Sequence, residues 1–247
     1  MTWRLFDRVA ADYDQVAPFF ASYGAEIVRV VDPPAGCRFL DLGAGRGALT
    51  GPALARGCVV TAVDAAPAMV KRVGADFPGA AAYVMDAQAL ALAPGTFDVV
   101  VSSFVIHVLD DPAAGVAEAF RVLAPGGRFV MTAGGKLPAG LSARLDALFL
   151  EFSAYLPPGG SMGQPLDPAP MLAGAGFAAL REEFASVAVP FGDNEMLWRW
   201  ALSHGYRAFI DDLPEGRRAE FRERVLALPA DDRVLRRTTG LWSGVKP

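Results

Sequence analysis

Apolar positions in the first half of the chain fall into short, nearly continuous runs separated by stretches of helical spacing. Residues 38–42, 58–64 and 97–102 form such runs, the last rich in β-branched residues. Runs of this length read as strands buried on both faces. A weaker strand is predicted over 81–86, and a fifth over 128–132, after a turn at Pro125-Gly126-Gly127. Helices are predicted between them: over 48–56, over 67–76 with Pro67 in the first turn, and over 112–123 with Asp110 or Asp111 as cap. Repeated strand–helix units imply an α/β fold with a doubly wound, mostly parallel sheet that binds ligands at the carboxyl ends of its strands.

Beyond residue 134 the rhythm changes. A helix is expected over 141–155, a turning loop over 157–165, and a short helix over 171–177 that ends at a glycine cap. A sixth strand is expected over 178–191, helical stretches over 193–210 and 214–228, and a last strand over 233–246 pairing back on the sixth. The sheet is thus seven-stranded. The organisation predicted is one domain, 1–247, in which segments 1–30, 135–165 and 193–230 cap a cofactor-binding core of 36–134.

Composition narrows the function classes. With 53% hydrophobic and 20% charged residues among 247, the chain can bury a large core. A formal net charge of −4 argues against a grip on phosphate backbones, so no nucleic-acid partner is expected. Cys37 and Cys58 supply no disulfide framework, and His107 and His204 are too isolated to form a metal site, so no metal is expected. No segment approaches the ~18 uninterrupted apolar residues of a membrane span, and the first residues lack a signal-peptide core. The expectation is a cytoplasmic protein without a membrane partner.

The chemistry is concentrated where the strands end. Phe39-Leu40-Asp41-Leu42-Gly43-Ala44-Gly45-Arg46-Gly47 is an apolar run, an acid, then three glycines at alternate positions. Glycines allow a sharp turn and close approach of backbone to a ligand, and the helix that follows aims free N–H groups at it. Gly43-x-Gly45-x-x-Ala48 also satisfies the dinucleotide fingerprint, with Asp64 at a suitable distance for a ribose. Asp41 before the turn, Gly47 within it and Asp86 at the end of the third strand weigh against a nicotinamide cofactor.

Taken together, the ordered motifs resemble the class I S-adenosylmethionine-dependent methyltransferases. They are Asp41 to Gly47, then Val63-Asp64-Ala65-Ala66-Pro67-Ala68-Met69, Asp86-Ala87, Phe97-Asp98-Val99-Val100-Val101-Ser102-Ser103, and Arg121-Val122-Leu123-Ala124-Pro125-Gly126-Gly127-Arg128-Phe129. The resemblance covers residues 6–135 well and the remainder loosely. Phe6-Asp7-x-x-Ala10-x-x-Tyr13-Asp14 is similar to the small-molecule branch that includes ubiquinone/menaquinone-type and natural-product enzymes. The resemblance implies a Rossmann-like methyltransferase fold with a helical cap, and S-adenosyl-L-methionine as cofactor with S-adenosyl-L-homocysteine as product. It implies that the turn Gly43, Ala44, Gly45, Gly47 cradles the methionyl part, and that Asp41 receives its ammonium directly or through water. Asp64 would accept the ribose hydroxyls, Asp86 and the Ala87 N–H would read the adenine edge, and Ala65 and Met69 would flank its faces. Backbone at Ser102 and Ser103 would close over the methionine end, and Tyr13 would cover the cofactor. Met69 also suits simple core packing.

Methyl transfer from a sulfonium needs alignment and exclusion of water more than a covalent nucleophile. Where the acceptor must lose a proton, His107, just past the fourth strand, is the candidate base; the same position suits a histidine that bonds the next helix. Aromatic residues outside the cofactor half, among them Phe19, Phe20, Phe149, Phe152, Trp198, Trp200, Tyr206 and Phe209, suit a lid over an apolar or aromatic small molecule, and equally suit packing of cap helices. The mixed run 217–224 reads as a solvated helix face. The function expected is methyl transfer to a small, apolar or aromatic acceptor, with a natural-product intermediate as one such molecule. Two alternatives remain open: a protein that binds the same cofactor for other chemistry or for sensing, and an NAD-dependent oxidoreductase. Acceptor, methylated atom and oligomeric state are not readable here.

Overall fold

The computed structural model describes residues 3–157, 165–229 and 232–247. Most of the loop expected at 157–165 lies outside the described residues. Seven strands, β1 (Arg38–Leu42), β2 (Val59–Asp64), β3 (Ala81–Val84), β4 (Phe97–Ser102), β5 (Leu123–Gly135), β6 (Ala178–Pro190) and β7 (Val234–Val245), form one sheet in the order β3-β2-β1-β4-β5-β7-β6. β1 to β5 run parallel, and β7 is inserted antiparallel to both β5 and β6. The doubly wound parallel core and the return of the last strand onto the sixth are as expected.

The core strands are buried almost throughout, and successive side chains point to opposite faces of the pleated sheet. Phe39, Val99, Val101 and Val130 face one side, with helices α2 (Phe19–Val31), α6 (Gly140–Ser153), α8 (Asn194–Leu202), α9 (Tyr206–Asp212) and α10 (Glu215–Leu226). Leu40, Leu42, Val100, Phe129 and Met131 face the other, against α5 (Pro112–Val122) and α7 (Pro168–Gly174). Helices α3 (Thr50–Ala55) and α4 (Pro67–Asp76) follow β1 and β2, and α1 (Trp3–Val9) lies against α4. Pro67 occupies the first turn of α4, and the Asp111 carboxylate caps α5 by accepting from the Ala114 N–H at 3.1 Å.

Several sequence expectations need correction. Pro125-Gly126-Gly127 lies inside β5: the pairing with β4 jumps from Phe97↔Leu123 to Val99↔Arg128, so the extra residues form a bulge and the strand continues on both sides. The stretch 193–210 divides into α8 and α9. The helix expected from 48 begins at Thr50. Cys37 and Cys58, assigned no relation, stand at the starts of β1 and β2 with sulfurs 3.5 Å apart, both buried as thiols, and burial pushes Cys37 up to about 12. The 217–224 face is solvated as expected, with Arg217–Glu220 and Arg222–Glu195 pairs on its surface. No described helix is long and apolar enough to cross a membrane.

Candidate active site

Two connected cavities, of about 230 and 450 Å³, open at the carboxyl ends of β1, β2 and β4, and share Tyr13, Gly43, Gly45 and Ser103 as walls. The glycine turn divides its duties. A Cβ on Gly43 would meet the Val105 side chain at 2.3 Å and one on Gly47 the Phe77 ring at 2.5 Å, so those two are packed. Gly45, with φ +53°, has nothing within 4 Å of that position: its backbone faces the open cavity. Ala44 is buried beside it and donates its N–H to the Val63 carbonyl at 2.9 Å.

Three acids stand at three adjacent strand ends. Asp41 is 1% exposed on the floor of the larger cavity, where one oxygen accepts the Thr50 hydroxyl at 2.6 Å. Burial pushes its carboxyl up to about 7, with Asp64 adding and the Thr50 bonds opposing. Asp64 accepts the Gly45 N–H with one oxygen and the Ala66 N–H with the other, each at 2.8 Å, thereby joining the turn after β1 to the end of β2. Its carboxyl is also raised by burial, with those N–H groups opposing. Asp86 is exposed at the cavity edge and accepts from the Gln88 N–H at 2.9 Å and from the Gln88 side-chain amide.

The smaller cavity is otherwise mostly apolar, with Asp110 and Ser103 among its walls. Ala65, Met69, Met85 and Ala87 line it, with Met69 only 1% exposed and packed on Ala66. Tyr13 covers both cavities, stacked on Phe20 at 4.9 Å, and burial pushes its phenol well up, so it is a neutral lid. Ser103 lines both cavities. Ser102 does not: its buried hydroxyl donates to the Leu42 carbonyl at 3.0 Å, which makes it a fastening between β4 and β1.

These walls fit S-adenosylmethionine on direct observations. Asp64 retains a further lone-pair site on each oxygen for the two hydroxyls of a ribose. An apolar slot beside Asp86 and Ala87 suits a purine, and the backbone of Gly45 is open to close approach. Sequence reading missed Thr50, which bonds Asp41 from the start of the helix that follows, and Gln88, which bonds Asp86 from two residues along the chain; both are ordinary polar residues that no motif marks.

A third cavity, of about 460 Å³, adjoins the smaller one through Phe6, Tyr13, Phe104 and Val108. Phe19, Phe20, Tyr206 and Phe209 of the cap line it, whereas Phe149, Phe152 and Trp198 are buried in the packing between α6, α8 and α10. His107, in a single 3-10 turn after β4, lines this cavity and not the cofactor cavities, and burial holds its pKa down. His204 lines it too. Its Nδ1 donates to the Trp200 carbonyl at 2.6 Å, and burial pushes it down to about 4.

Asp41 yields a pH prediction. An ammonium seated on Asp41 would favour the ionised carboxylate, and binding below pH 7 would then first have to remove a proton. The affinity for S-adenosylhomocysteine is expected to rise by up to about ten-fold per pH unit as pH approaches 7 and then to level off. Calorimetric titrations from pH 5.5 to 7.5 measure the slope. Asp41→Asn abolishes it; a slope unchanged in that variant contradicts the placement of the ammonium.

Comparisons with known proteins bear on the family and the fold. A family profile described as "Methyltransferase domain" matches residues 40–131. The chain is 31% identical over 242 residues to nocamycin O-methyltransferase of Saccharothrix syringae, covering 87% of this chain and 86% of that protein. It is 31% identical over 137 residues to aklanonic acid methyltransferase DauC of a Streptomyces species, covering 51% of this chain and 62% of the relative. Among solved structures, the YcgJ protein of Bacillus subtilis shares the fold, with a TM-score of 0.61 at 18% identity over 91% of this chain and 97% of that one.

Proposed function

Because the chain belongs to the class I S-adenosylmethionine-dependent methyltransferases, we propose that the 460 Å³ cavity receives a small aromatic acceptor and presents it to the cofactor across the Phe6, Tyr13, Phe104 and Val108 wall. The protein is an enzyme that transfers methyl groups to small molecules. S-adenosylmethionine, when bound, supplies a sulfonium methyl already activated for displacement. We assign its ammonium to Asp41, its ribose to Asp64, and its adenine to the slot formed by Ala65, Met69, Asp86 and Ala87, with Ser103 and Tyr13 closing the site.

The chain's own contribution is placement and dryness. Tyr13 and Phe104 line both cavities and keep water out where they meet, and the aromatic cap residues align a flat acceptor. His107 stands on the acceptor side of the junction, next to Val108. Neutral through burial, it is fit to take a proton from an acceptor hydroxyl, and we assign it that role. The relatives named nocamycin O-methyltransferase and aklanonic acid methyltransferase support a natural-product acceptor of this general kind.

The adjacency of the acceptor and cofactor cavities, which share Phe6, Tyr13, Phe104 and Val108, carries this reading. The test is incubation of the protein and isotopically methyl-labelled S-adenosylmethionine with fractionated bacterial metabolite extracts. Label is expected in a small, organic-extractable product. Tight S-adenosylhomocysteine binding with no transfer to any fraction would leave a sensor or a non-methylating enzyme, and preference for NADH over S-adenosylhomocysteine in a thermal-shift comparison would overturn the cofactor.

A further inference from the structure

The acceptor cavity has a polar end that the cofactor site does not explain. β7 carries Arg237 into it, opposite Val187 of β6, and the side chain is only 14% exposed. Two guanidinium nitrogens donate to the two oxygens of Asp146 on α6, the bidentate geometry that holds a guanidinium in one plane. Asp146 thus takes two of the five N–H groups an arginine offers. Lys136 stands at the cavity rim, exposed.

The remaining titratable walls are neutral. Burial pushes the phenols of Tyr23 and Tyr206 up, with the nearby Arg237 opposing in both cases. It pushes His107 and His204 down, the latter to about 4. Because a carbonyl only accepts, His204 carries its proton on Nδ1, which leaves Nε2 a neutral acceptor. Lys136 and Arg237 against Asp146 leave one positive charge in excess, in a chain whose formal net charge is −4. A cationic ligand would meet two like charges and an aspartate already engaged; an anionic one meets a guanidinium removed from water.

Resting on the assignment of this cavity to the acceptor, we propose that it selects aromatic acceptors bearing an anionic oxygen, a carboxylate or an ionised phenol, held by Arg237 while Asp146 fixes the guanidinium. Rings lie among Phe19, Phe20, Phe104 and Tyr206. Arg237 is a specificity residue for binding and takes no part in the transfer step.

Fluorescent naphthalene probes test this on protein saturated with S-adenosylhomocysteine. 2-Naphthoate is expected to bind roughly ten-fold tighter than neutral naphthalene-2-carboxamide, a preference that salt weakens. 2-Naphthol, titrated from pH 7 to 10, distinguishes a phenolate from a carboxylate: affinity that climbs as the phenol ionises admits both anions, and a flat profile restricts the site to carboxylates. Arg237→Met should bring naphthoate down to the carboxamide's level while leaving the carboxamide unchanged, and Arg237→Lys should keep part of the preference. Retained S-adenosylhomocysteine binding and a cooperative melt certify that each variant is folded. The proposal is overturned if the carboxamide or 2-naphthylmethylammonium binds as well as naphthoate, if none binds at millimolar concentration, or if the preference survives in Arg237→Met. These outcomes leave the methyltransferase reading intact, whereas loss of S-adenosylhomocysteine binding by the folded native protein defeats that reading alone.

Discussion

Asp64→Ala is expected to weaken S-adenosylhomocysteine binding by about 100-fold or more, which corresponds to roughly 2.7 kcal/mol. Two losses combine. The carboxylate accepts the Gly45 and Ala66 N–H groups at 2.8 Å each, so its removal leaves two donors at the turn without their partner. Orphaned buried donors cost about 1–3 kcal/mol each where water does not reach them. The second loss is direct, since no other carboxylate at this strand end can take both ribose hydroxyls. Asp64→Asn separates the two: it keeps the shape but replaces one acceptor by an NH2 group that faces a backbone N–H. An intermediate loss is therefore expected from Asn, and the full loss from Ala. Calorimetry with S-adenosylhomocysteine reads both, and an Ala variant within three-fold of the native affinity would sink the ribose assignment.

How far the sequence carried this site depends on where each signal resides. α4 and the strands β1, β2 and β4 were legible because each is a local pattern: an apolar run ended by Asp41, Asp64 or Ser102, and a proline at the first turn of Pro67–Asp76. The acids were legible for the same reason, because they close apolar runs. β5 was cut short since Pro125-Gly126-Gly127 punctuates like a turn, while pairing with β4 on both sides absorbs it as a bulge. Ser102 shared a motif with Ser103, yet strand alternation sends one hydroxyl to Leu42 and the other residue to the cavity. Helix α1 was legible only through Phe6 and Asp7 of its motif, and helix α2, with Tyr23 and Gly24, carried no motif that a sequence alone displays. Arg237 and Asp146 lie 91 residues apart, and Cys37 and Cys58 lie 21 apart. Nothing local marks such pairs; the register of β1 and β2 brings the cysteines together, and the packing of α6 on β7 brings Asp146 to Arg237.

Gly24 is the sharpest case of that kind, and its replacement is expected to have the largest effect on stability. It sits in the middle of α2, where helix propensity alone favours alanine by roughly 0.8–1.0 kcal/mol. Yet a Cβ there would lie 1.9 Å from the Ala48 carbonyl oxygen and 2.3 Å from its carbon. Those are backbone atoms of the turn that follows Gly47, so no side chain can swing aside; either α2 or the turn must move. Overpacking of that kind costs about 1–3 kcal/mol or more. At about 2–4 °C per kcal/mol for a chain of this size, Gly24→Ala should melt roughly 2–12 °C below the native protein. Gly74→Ala is the control: this exposed glycine of α4 has nothing within 4 Å of its would-be Cβ, so propensity acts alone and the melting temperature should hold or rise. Because Ala48 belongs to the segment bearing Gly43, Gly45 and Gly47, Gly24→Ala should also weaken S-adenosylhomocysteine binding, which Gly74→Ala should not. Equal melting temperatures and affinities for the two variants would show that α2 does not brace the cofactor turn. The opposite result ties α2 to the geometry in which the three acids work.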